Sequence, residues 1–245
     1  MRIHTYIVIY ASLAAFHTFA QDKNPQSTEL WEPQPKIITP GKLPSDAPSD
    51  AIVLFDGKNL DAWKNAKGEK AGWEVKDGII TVTKGTGDIL TKQLFGSCQL
   101  HIEWRTPVAI ESEGQGRSNS GVFLQERYEV QILDNFENKT YSNGQAGSIY
   151  KQYPPLVNAC KKPGEWQTYD IIYTAPVFGK EGRVVHPAAI TVLHNGVLVQ
   201  NHSILLGPSE YIGIPFYKEH GKASIKLQDH GNPISFRNIW VRELE

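Results

Sequence analysis

A period-two alternation of apolar and polar side chains is the feature that most constrains the fold of this chain. It is clearest from Cys98 to Trp104, and it returns from Trp166 to Tyr173. Successive side chains of a strand point to opposite faces of a sheet, so this pattern is typical of strands with one buried face. No stretch keeps a helical period over three turns. The sequence therefore predicts an all-β protein.

Turn-forming residues separate the predicted strands at regular spacing. Asp77-Gly78 and Asn195-Gly196 are typical of tight hairpins between antiparallel strands. Many short strands joined by such turns predict an antiparallel two-sheet sandwich of the jelly-roll type. Two long irregular segments, 138–155 and 176–187, are expected to line a binding groove or to lie beside it.

The first fifty residues differ in composition from the rest. Residues 1–20 combine an early Arg2, an apolar stretch and a small-residue cleavage pattern ending at Ala20, which predicts a signal peptide and an exported protein. The apolar stretch is too short to predict a membrane span. Residues 21–49 are polar and rich in proline, which predicts an N-terminal arm or linker. The folded domain is expected at residues 50–245.

Charge and cysteine content narrow the classes of function. The net charge of -1 includes no basic surplus, which argues against nucleic acid as a partner. Cys98 and Cys160 either form one disulfide or lie apart as small buried side chains, and the sequence leaves both alternatives open. Neither has a second Cys or a His at the spacing of a zinc site.

A hairpin predicted within residues 117–134 carries the strongest signal for a functional site. Two apolar runs flank a polar turn there. In the second strand, Glu129 and Gln131 share one face. A bulge near Ile132-Leu133 is expected to bring Asp134 to the same face, since one extra residue re-aims the side chains that follow. The plainer interpretation is a solvated polar face on a half-exposed strand.

Further polar and aromatic residues are candidates for the same site. Sugars are held by aromatic faces and planar polar groups, because a sugar ring presents C–H faces and hydroxyl edges. The residues expected to bind substrate are Arg117, Asn119, Gln131, Tyr150 and Lys151. His230 lies in a turn beside an aspartate, where a histidine can act as acid, base or metal ligand. This set of groups indicates carbohydrate chemistry.

Six short motifs resemble one known family. They are Phe55 to Trp63 (Phe-Asp-Gly-Lys-Asn-Leu-Asp-Ala-Trp), Ser118 to Val122 (Ser-Asn-Ser-Gly-Val), Glu129 to Asp134 (Glu-Val-Gln-Ile-Leu-Asp), Lys162 to Trp166 (Lys-Pro-Gly-Glu-Trp), Gln228 to Gly231 (Gln-Asp-His-Gly) and Phe236 to Ile239 (Phe-Arg-Asn-Ile). Together they resemble the 3-keto-disaccharide hydrolase family over residues 50 to 244. The resemblance implies a concanavalin A-like lectin/glucanase jelly roll and a periplasmic or cell-envelope role in sugar breakdown. It also implies disaccharide or glucoside substrates oxidised to a ketone at C3.

For such substrates the candidate residues favour cleavage by proton abstraction. A ketone at C3 acidifies the C2 hydrogen, so a base can form an enolate, the C1 substituent can leave, and water can then add. Glu129 or His230 is expected to be the base, Arg117 or Lys151 the oxyanion partner, and Asp134 the acid or orienting group. No cofactor is certain, and a divalent metal on Glu129, Asp134 and His230 is the open alternative for the electrophile. The competing class of function is a lectin-like binding module without catalysis.

The cleavage pattern at the N-terminus yields a first prediction. Because that pattern ends at Ala20, the mature chain is expected to begin at Gln21 and to be found in the cell envelope. N-terminal sequencing of envelope protein measures this directly. Cytoplasmic protein that still begins at Met1 would contradict it.

Overall fold

The computed structural model describes residues 23–244, so the predicted signal peptide of residues 1–20 lies outside the described residues. The chain falls into two compact units, one ending at Ile37 and the other beginning at Ile38. In the first unit, a short 3-10 helix spans Pro25–Thr28, and the Asn24 side chain accepts a hydrogen bond from the Gln26 N–H at its start.

The second unit is built from short strands. They are β1 (Ile52–Phe55), β2 (Trp63–Asn65), β3 (Glu74–Lys76), β4 (Ile79–Thr81), β5 (Ile89–Thr91), β6 (Cys98–Arg105), β7 (Ser120–Leu124), β8 (Tyr128–Ile132), β9 (Gln167–Thr174), β10 (Val177–Phe178), β11 (Val184–His186), β12 (Ala189–His194), β13 (Val197–Ile204), β14 (Lys226–Leu227) and β15 (Ser235–Glu243). Short 3-10 helices at Gly114–Gly116, Ser142–Gly144 and Lys180–Gly182 lie in the connections. Within the described part of the chain, no helix has the length and apolar character needed to cross a membrane.

These strands form two main antiparallel sheets. Among the described residues, the larger sheet has eight strands in the order β13-β12-β9-β6-β15-β4-β3, with β1 also paired to β15. The smaller has five, in the order β2-β5-β14-β7-β8, and β10 and β11 make a separate hairpin. The prediction of an all-β antiparallel sandwich is confirmed.

The alternation in the sequence is what builds the core between the sheets. In β6, Leu100, Ile102 and Trp104 are fully buried members of the core. In β8, Val130 and Ile132 belong to the same core. Because one face of each strand is apolar, the sheets pack through these faces and leave their other faces outward.

Two buried tyrosines also tie the large sheet to the small one. The Tyr169 hydroxyl donates to the Gln131 carbonyl at 2.7 Å, and the Tyr173 hydroxyl donates to Gln125 Oε1 at 2.7 Å. Each such buried bond stabilises the fold by about 1 kcal/mol net, and an unpaired hydroxyl in its place would cost more. The tyrosines therefore hold the hairpin β7–β8 against the larger sheet.

Both cysteines are free thiols in this structure. Cys98 is fully buried in the core. Cys160 is half-buried in a connection, where the Gln167 amide donates to its Sγ at 3.2 Å. Of the two alternatives left open by the sequence, the structure therefore shows separate small side chains.

Candidate active site

A cavity of about 270 Å³ opens on the outer face of the five-stranded sheet. Its lining residues come from β7, β8 and four connecting segments, and they are Asn119, Phe123, Glu129, Gln131, Tyr150, Ser209, Tyr211, Gln228 and His230. Its floor is formed by Phe123, Glu129 and Gln131. Period-two alternation places these side chains opposite the core-facing residues of the same strands.

Glu129 is a buried carboxylate at this floor. Only 6% of the residue is exposed. Burial raises its pKa to about 8, with a lowering contribution from Lys226 and a raising one from Asp88. Among residues 23–244, no Lys, Arg or His nitrogen lies within 4.0 Å of its carboxylate. An unpaired carboxyl group that binds a proton near neutral pH is suited to acid–base chemistry.

Two neighbours on the β7–β8 hairpin shape the space around this carboxylate. The side-chain amide of Gln131 is oriented with its nitrogen toward hydrogen-bond acceptors. In this orientation the nitrogen donates to Glu129 Oε1 at 2.9 Å. Gly121 pairs with Gln131 across the ladder. A Cβ on Gly121 would lie 2.5 Å from Glu129 Oε1 and 2.8 Å from Phe123 Cε2, so a larger residue here would displace the carboxylate or the ring.

Two connecting segments hydrogen-bond to the backbone of Glu129 in β8 and carry further groups to the cavity. The Tyr150 N–H donates to the Glu129 carbonyl at 3.2 Å, so the segment after β8 folds back along its free edge. The Glu129 N–H donates to Ser209 Oγ at 3.0 Å. Ser209 in turn donates its N–H to the Arg127 carbonyl at 2.8 Å. Ser209 Oγ donates to none of residues 23–244, so its proton is available to a ligand.

His230 stands at the exposed rim on a turn fixed by Asp229. The Asp229 carboxylate accepts from the N–H groups of Gly85 at 2.7 Å, Gly87 at 3.0 Å and Gly231 at 2.9 Å. Three backbone donors on one carboxylate hold the turn in a single geometry. The imidazole is therefore presented to the cavity by a rigid support.

A second compartment of about 490 Å³ adjoins the first. It shares Asn119, Tyr150, Tyr211 and His230 with the first compartment and adds Gln115, Gly116, Tyr141 and Lys151. Lys151 Nζ donates to the Tyr211 carbonyl at 2.8 Å and lies 4.4 Å from the centroid of the Tyr211 ring. The hydroxyls of Tyr141 and Tyr150 are 2.8 Å apart, and burial raises the pKa of Tyr150. This outer compartment therefore has aromatic walls and one cation.

Arg117 and Asp134 do not line either compartment. Arg117 Nε lies 2.7 Å from Asp134 Oδ2 in a buried ion pair, and Asp134 Oδ1 also accepts from the Phe136 N–H at 3.1 Å. The bulge expected near Ile132-Leu133 is absent from the β7–β8 ladder, whose register is regular up to the end of β8 at Ile132. Leu133 instead packs in the core. The pair joins the start of β7 to the segment after β8.

The metal site considered from the sequence does not fit this geometry. Glu129 and His230 line the cavity, but Asp134 is occupied by Arg117 outside it. Across the described residues, no group of three or more His, Cys, Asp or Glu side chains is arranged to hold a metal ion.

The structure thus brings together most of the residues singled out in the sequence and adds others. Asn119, Glu129, Gln131, Tyr150 and His230 converge on the first compartment, and Lys151 joins them in the second. Sequence reasoning missed Phe123, Ser209, Tyr211 and Gln228. The alternation along β7 was a usable signal for Phe123, whereas Ser209 and Tyr211 lie in a loop without periodicity.

A two-compartment polar cavity with aromatic walls on one face of a β-sandwich defines a carbohydrate-active class of protein. Residues 50–242 match the family of 3-keto-α-glucoside-1,2-lyase-like domains, and the chain belongs to this family. A 3-keto-disaccharide hydrolase of Bacteroides thetaiotaomicron is 26% identical over 251 residues, which cover 83% of this chain and 81% of that protein.

Solved structures from Parabacteroides distasonis show the same architecture. A candidate glycosyl hydrolase is 55% identical, with a TM-score of 0.86 and coverage of 90% of this chain and 97% of that one. A second candidate glycosyl hydrolase is 21% identical, with a TM-score of 0.58 and coverage of 80% and 94%, and it shows the fold alone.

The raised pKa of Glu129 predicts a pH-dependent stability. The pKa of this carboxyl group is 4.5 without burial and about 8 in the folded protein. At a pH between these two values, the folded state therefore holds a proton that the unfolded state has lost. The free energy of unfolding therefore falls as pH rises through this window. Glu129→Gln removes this effect, so its stability relative to the parent should rise by on the order of 1 kcal/mol per pH unit.

Urea unfolding of both proteins at several pH values between 5 and 9 measures this difference. Glu74→Gln, at an exposed position on β3, is the matched control and should show no such trend. A constant difference between Glu129→Gln and the parent across this range would contradict the assignment of Glu129 as a destabilised buried acid.

Proposed function

We propose that this protein is an exported enzyme that cleaves 3-keto-glycosides by removing the C2 proton and eliminating the C1 substituent, followed by addition of water. The observation that carries the proposal is Glu129, a buried carboxyl group with a pKa raised to about 8 at the floor of a sugar-sized cavity. A base whose pKa lies near the working pH combines availability with proton-accepting strength. The family and the hydrolase relative support the substrate class.

The route conserves atoms and charge without a cofactor. Glu129 accepts the C2 proton, and the electron pair of the C–H bond forms an enolate with the C3 ketone. The enolate expels the C1 oxygen with its aglycone, and that oxygen takes a proton. Water then adds its oxygen to C1 and a proton returns to C2. A reaction that stops before water addition is a lyase reaction and one that completes it is a net hydrolysis, so one route accommodates both names carried by the relatives.

The compartments divide the substrate between them. The first compartment, with Glu129 and Gln131, suits the oxidised sugar ring. The second, with aromatic walls and Lys151, suits the leaving group. His230 lines both compartments and is placed to protonate the leaving oxygen where they meet.

Polar groups around the first compartment can hold the ketone and the hydroxyls. Ser209 has a hydroxyl proton free for the developing oxyanion, since its Oγ donates to none of residues 23–244. Gln228 Oε1 is buried without a partner among the described residues and can accept from a substrate hydroxyl. The Arg117–Asp134 pair takes no part in this chemistry, and its role is to join the segment before β7 to the segment after β8.

Glu129→Gln is the decisive variant for the role of the base. It keeps the shape of the side chain and removes its basicity, so kcat for 3-keto-trehalose should fall on the order of a hundredfold or more, with little change in KM. Glu210→Gln, at an exposed residue beside Ser209, is the matched control and should keep its rate. Steady-state kinetics with 3-keto-trehalose and unoxidised trehalose measure both.

The outcomes separate the proposed enzyme from its alternatives. Equal turnover of oxidised and unoxidised trehalose would rule out the keto-dependent route. An unchanged kcat/KM in Glu129→Gln would remove Glu129 from the chemistry. Glycan binding by calorimetry, together with no cleavage of any keto-sugar, would instead favour a lectin-like binding module.

The proton step predicts a specific isotope pattern. In D₂O, the proton that Glu129 takes from C2 exchanges with solvent before a hydrogen returns to C2, so the released 3-keto-glucose should carry one deuterium at C2 as soon as it forms. Proton NMR and mass spectrometry at early times measure this. Released 3-keto-glucose incubated without protein gives the background exchange. Product that keeps its original C2 hydrogen, together with no primary isotope effect on kcat/KM for substrate deuterated at C2, would exclude elimination and indicate direct displacement at C1.

A further inference from the structure

A row of side chains crosses the outer face of the five-stranded sheet beside the cavity. The register pairs Leu90 with Lys226, Lys226 with Phe123, and Phe123 with Glu129. Neighbouring strands lie about 4.8 Å apart, so Lys226 and Glu129 are about 10 Å apart along this row. Phe123, on the strand between them, separates a lysine from the carboxylate of the proposed base.

The Phe123 ring is a neighbour of both charged groups. Lys226 Nζ lies 3.9 Å from its centroid. Cε2 of the ring and Oε1 of Glu129 lie 2.8 and 2.5 Å from one point, the position that a Cβ on Gly121 would take. Only 8% of Phe123 is exposed, so the ring is packed in this place.

Asp88 holds the ammonium group on the side of β14 away from Glu129. Asp88 Oδ2 lies 3.1 Å from Lys226 Nζ. Asp88 precedes β5, and β5 and β7 flank β14 on opposite sides. Asp88 is itself anchored, because its Oδ1 accepts from the Asp229 N–H at 2.9 Å. The lysine thus has an ionic partner on the side away from the cavity, and the Phe123 ring stands on the side toward Glu129.

We propose that Phe123 and Asp88 are positioning residues that keep Lys226 away from Glu129, so that the carboxylate in the cavity has no ammonium partner. The inference rests on the proposed role of Glu129 as the base. A direct ion pair would stabilise the carboxylate form and weaken it as a proton acceptor. The ring and the aspartate therefore preserve the basicity that proton abstraction at C2 needs.

Other titratable groups line the cavity that holds this carboxylate or the compartment beside it. They are Tyr150 and Lys151 from the segment after β8, Tyr211 from the segment after β13, and His230 from the segment after β14. The variants described below leave all of these in place. A difference in titration between variants therefore reports on Phe123, Lys226 and the solvent that reaches Glu129.

The experiment is a carboxyl titration by NMR with ¹³C-labelled glutamate, in which the Glu129 signal is assigned by its loss in Glu129→Gln. In Phe123→Ala the lysine gains access to the carboxylate, so the Glu129 midpoint should fall by about one pH unit or more. Phe123→Leu keeps most of the bulk and is the matched control with a smaller shift. In Phe123→Ala combined with Lys226→Met, the midpoint should return toward the parent value.

The double variant separates the lysine from simple hydration. The Glu129 midpoint could fall in Phe123→Ala and stay equally low when Lys226→Met is added. That result would show that entering water, and not the lysine, lowers the midpoint, and it would overturn the proposal. An unchanged midpoint in Phe123→Ala overturns it as well. Should Phe123→Ala fail to fold by near-ultraviolet circular dichroism, Phe123→Val carries the same comparison, because a β-branched residue suits a strand.

The titration needs no substrate, so its result does not depend on the proposed reaction. If 3-keto-trehalose is cleaved, the acidic limb of kcat/KM against pH should move with the NMR midpoint in each variant. A limb that stays in place while the midpoint moves would show that Glu129 is poised as described but is not the base. Absence of any cleavage would refute the proposed function and leave the separation of charges standing.

Discussion

The register of β8 is the constraint on which the rest of this protein depends. Val130 and Ile132 are sealed in the core, and Glu129 and Gln131 face the cavity. A slip of one residue would move the carboxylate into the core and expose the apolar pair, so every favourable contact of the core also fixes the site. The Tyr169 hydroxyl on the Gln131 carbonyl adds a directional contact to the same register.

The buried Glu129 carboxylate lowers the stability of this fold. Its charged form is disfavoured by burial, and the ammonium group of Lys226 contacts Asp88 and the Phe123 ring instead of the carboxylate. Natural proteins accept such destabilisation where activity requires a group with altered proton affinity. On the hairpin, Gly121 leaves the space that the Glu129 carboxylate and the Phe123 ring occupy. The site is therefore preorganised, and the packing of the surrounding core offsets the destabilisation that the buried carboxylate causes.

The connections between strands supply what the sheet cannot. A sheet face is flat, and the walls of the cavity come from connecting segments. Two of them, bearing Tyr150 and Ser209, hydrogen-bond to the backbone of Glu129. The turn that carries His230 is held at the rim of the cavity because three backbone N–H groups donate hydrogen bonds to the Asp229 carboxylate. Other sandwiches share the sheets, so differences in chemistry within this architecture are expected to lie in these segments.

The sequence by itself determined the all-β sandwich, because period-two patterns are local, and it placed Glu129 and Gln131 on one face for the same reason. The family resemblance in its motifs was confirmed by the match over residues 50–242. Only the tertiary structure decided that Asp134 pairs with Arg117 outside the cavity, since pairing depends on where two segments meet. It also decided that Ser209 reaches Glu129, as a contact across eighty residues leaves no trace in local periodicity.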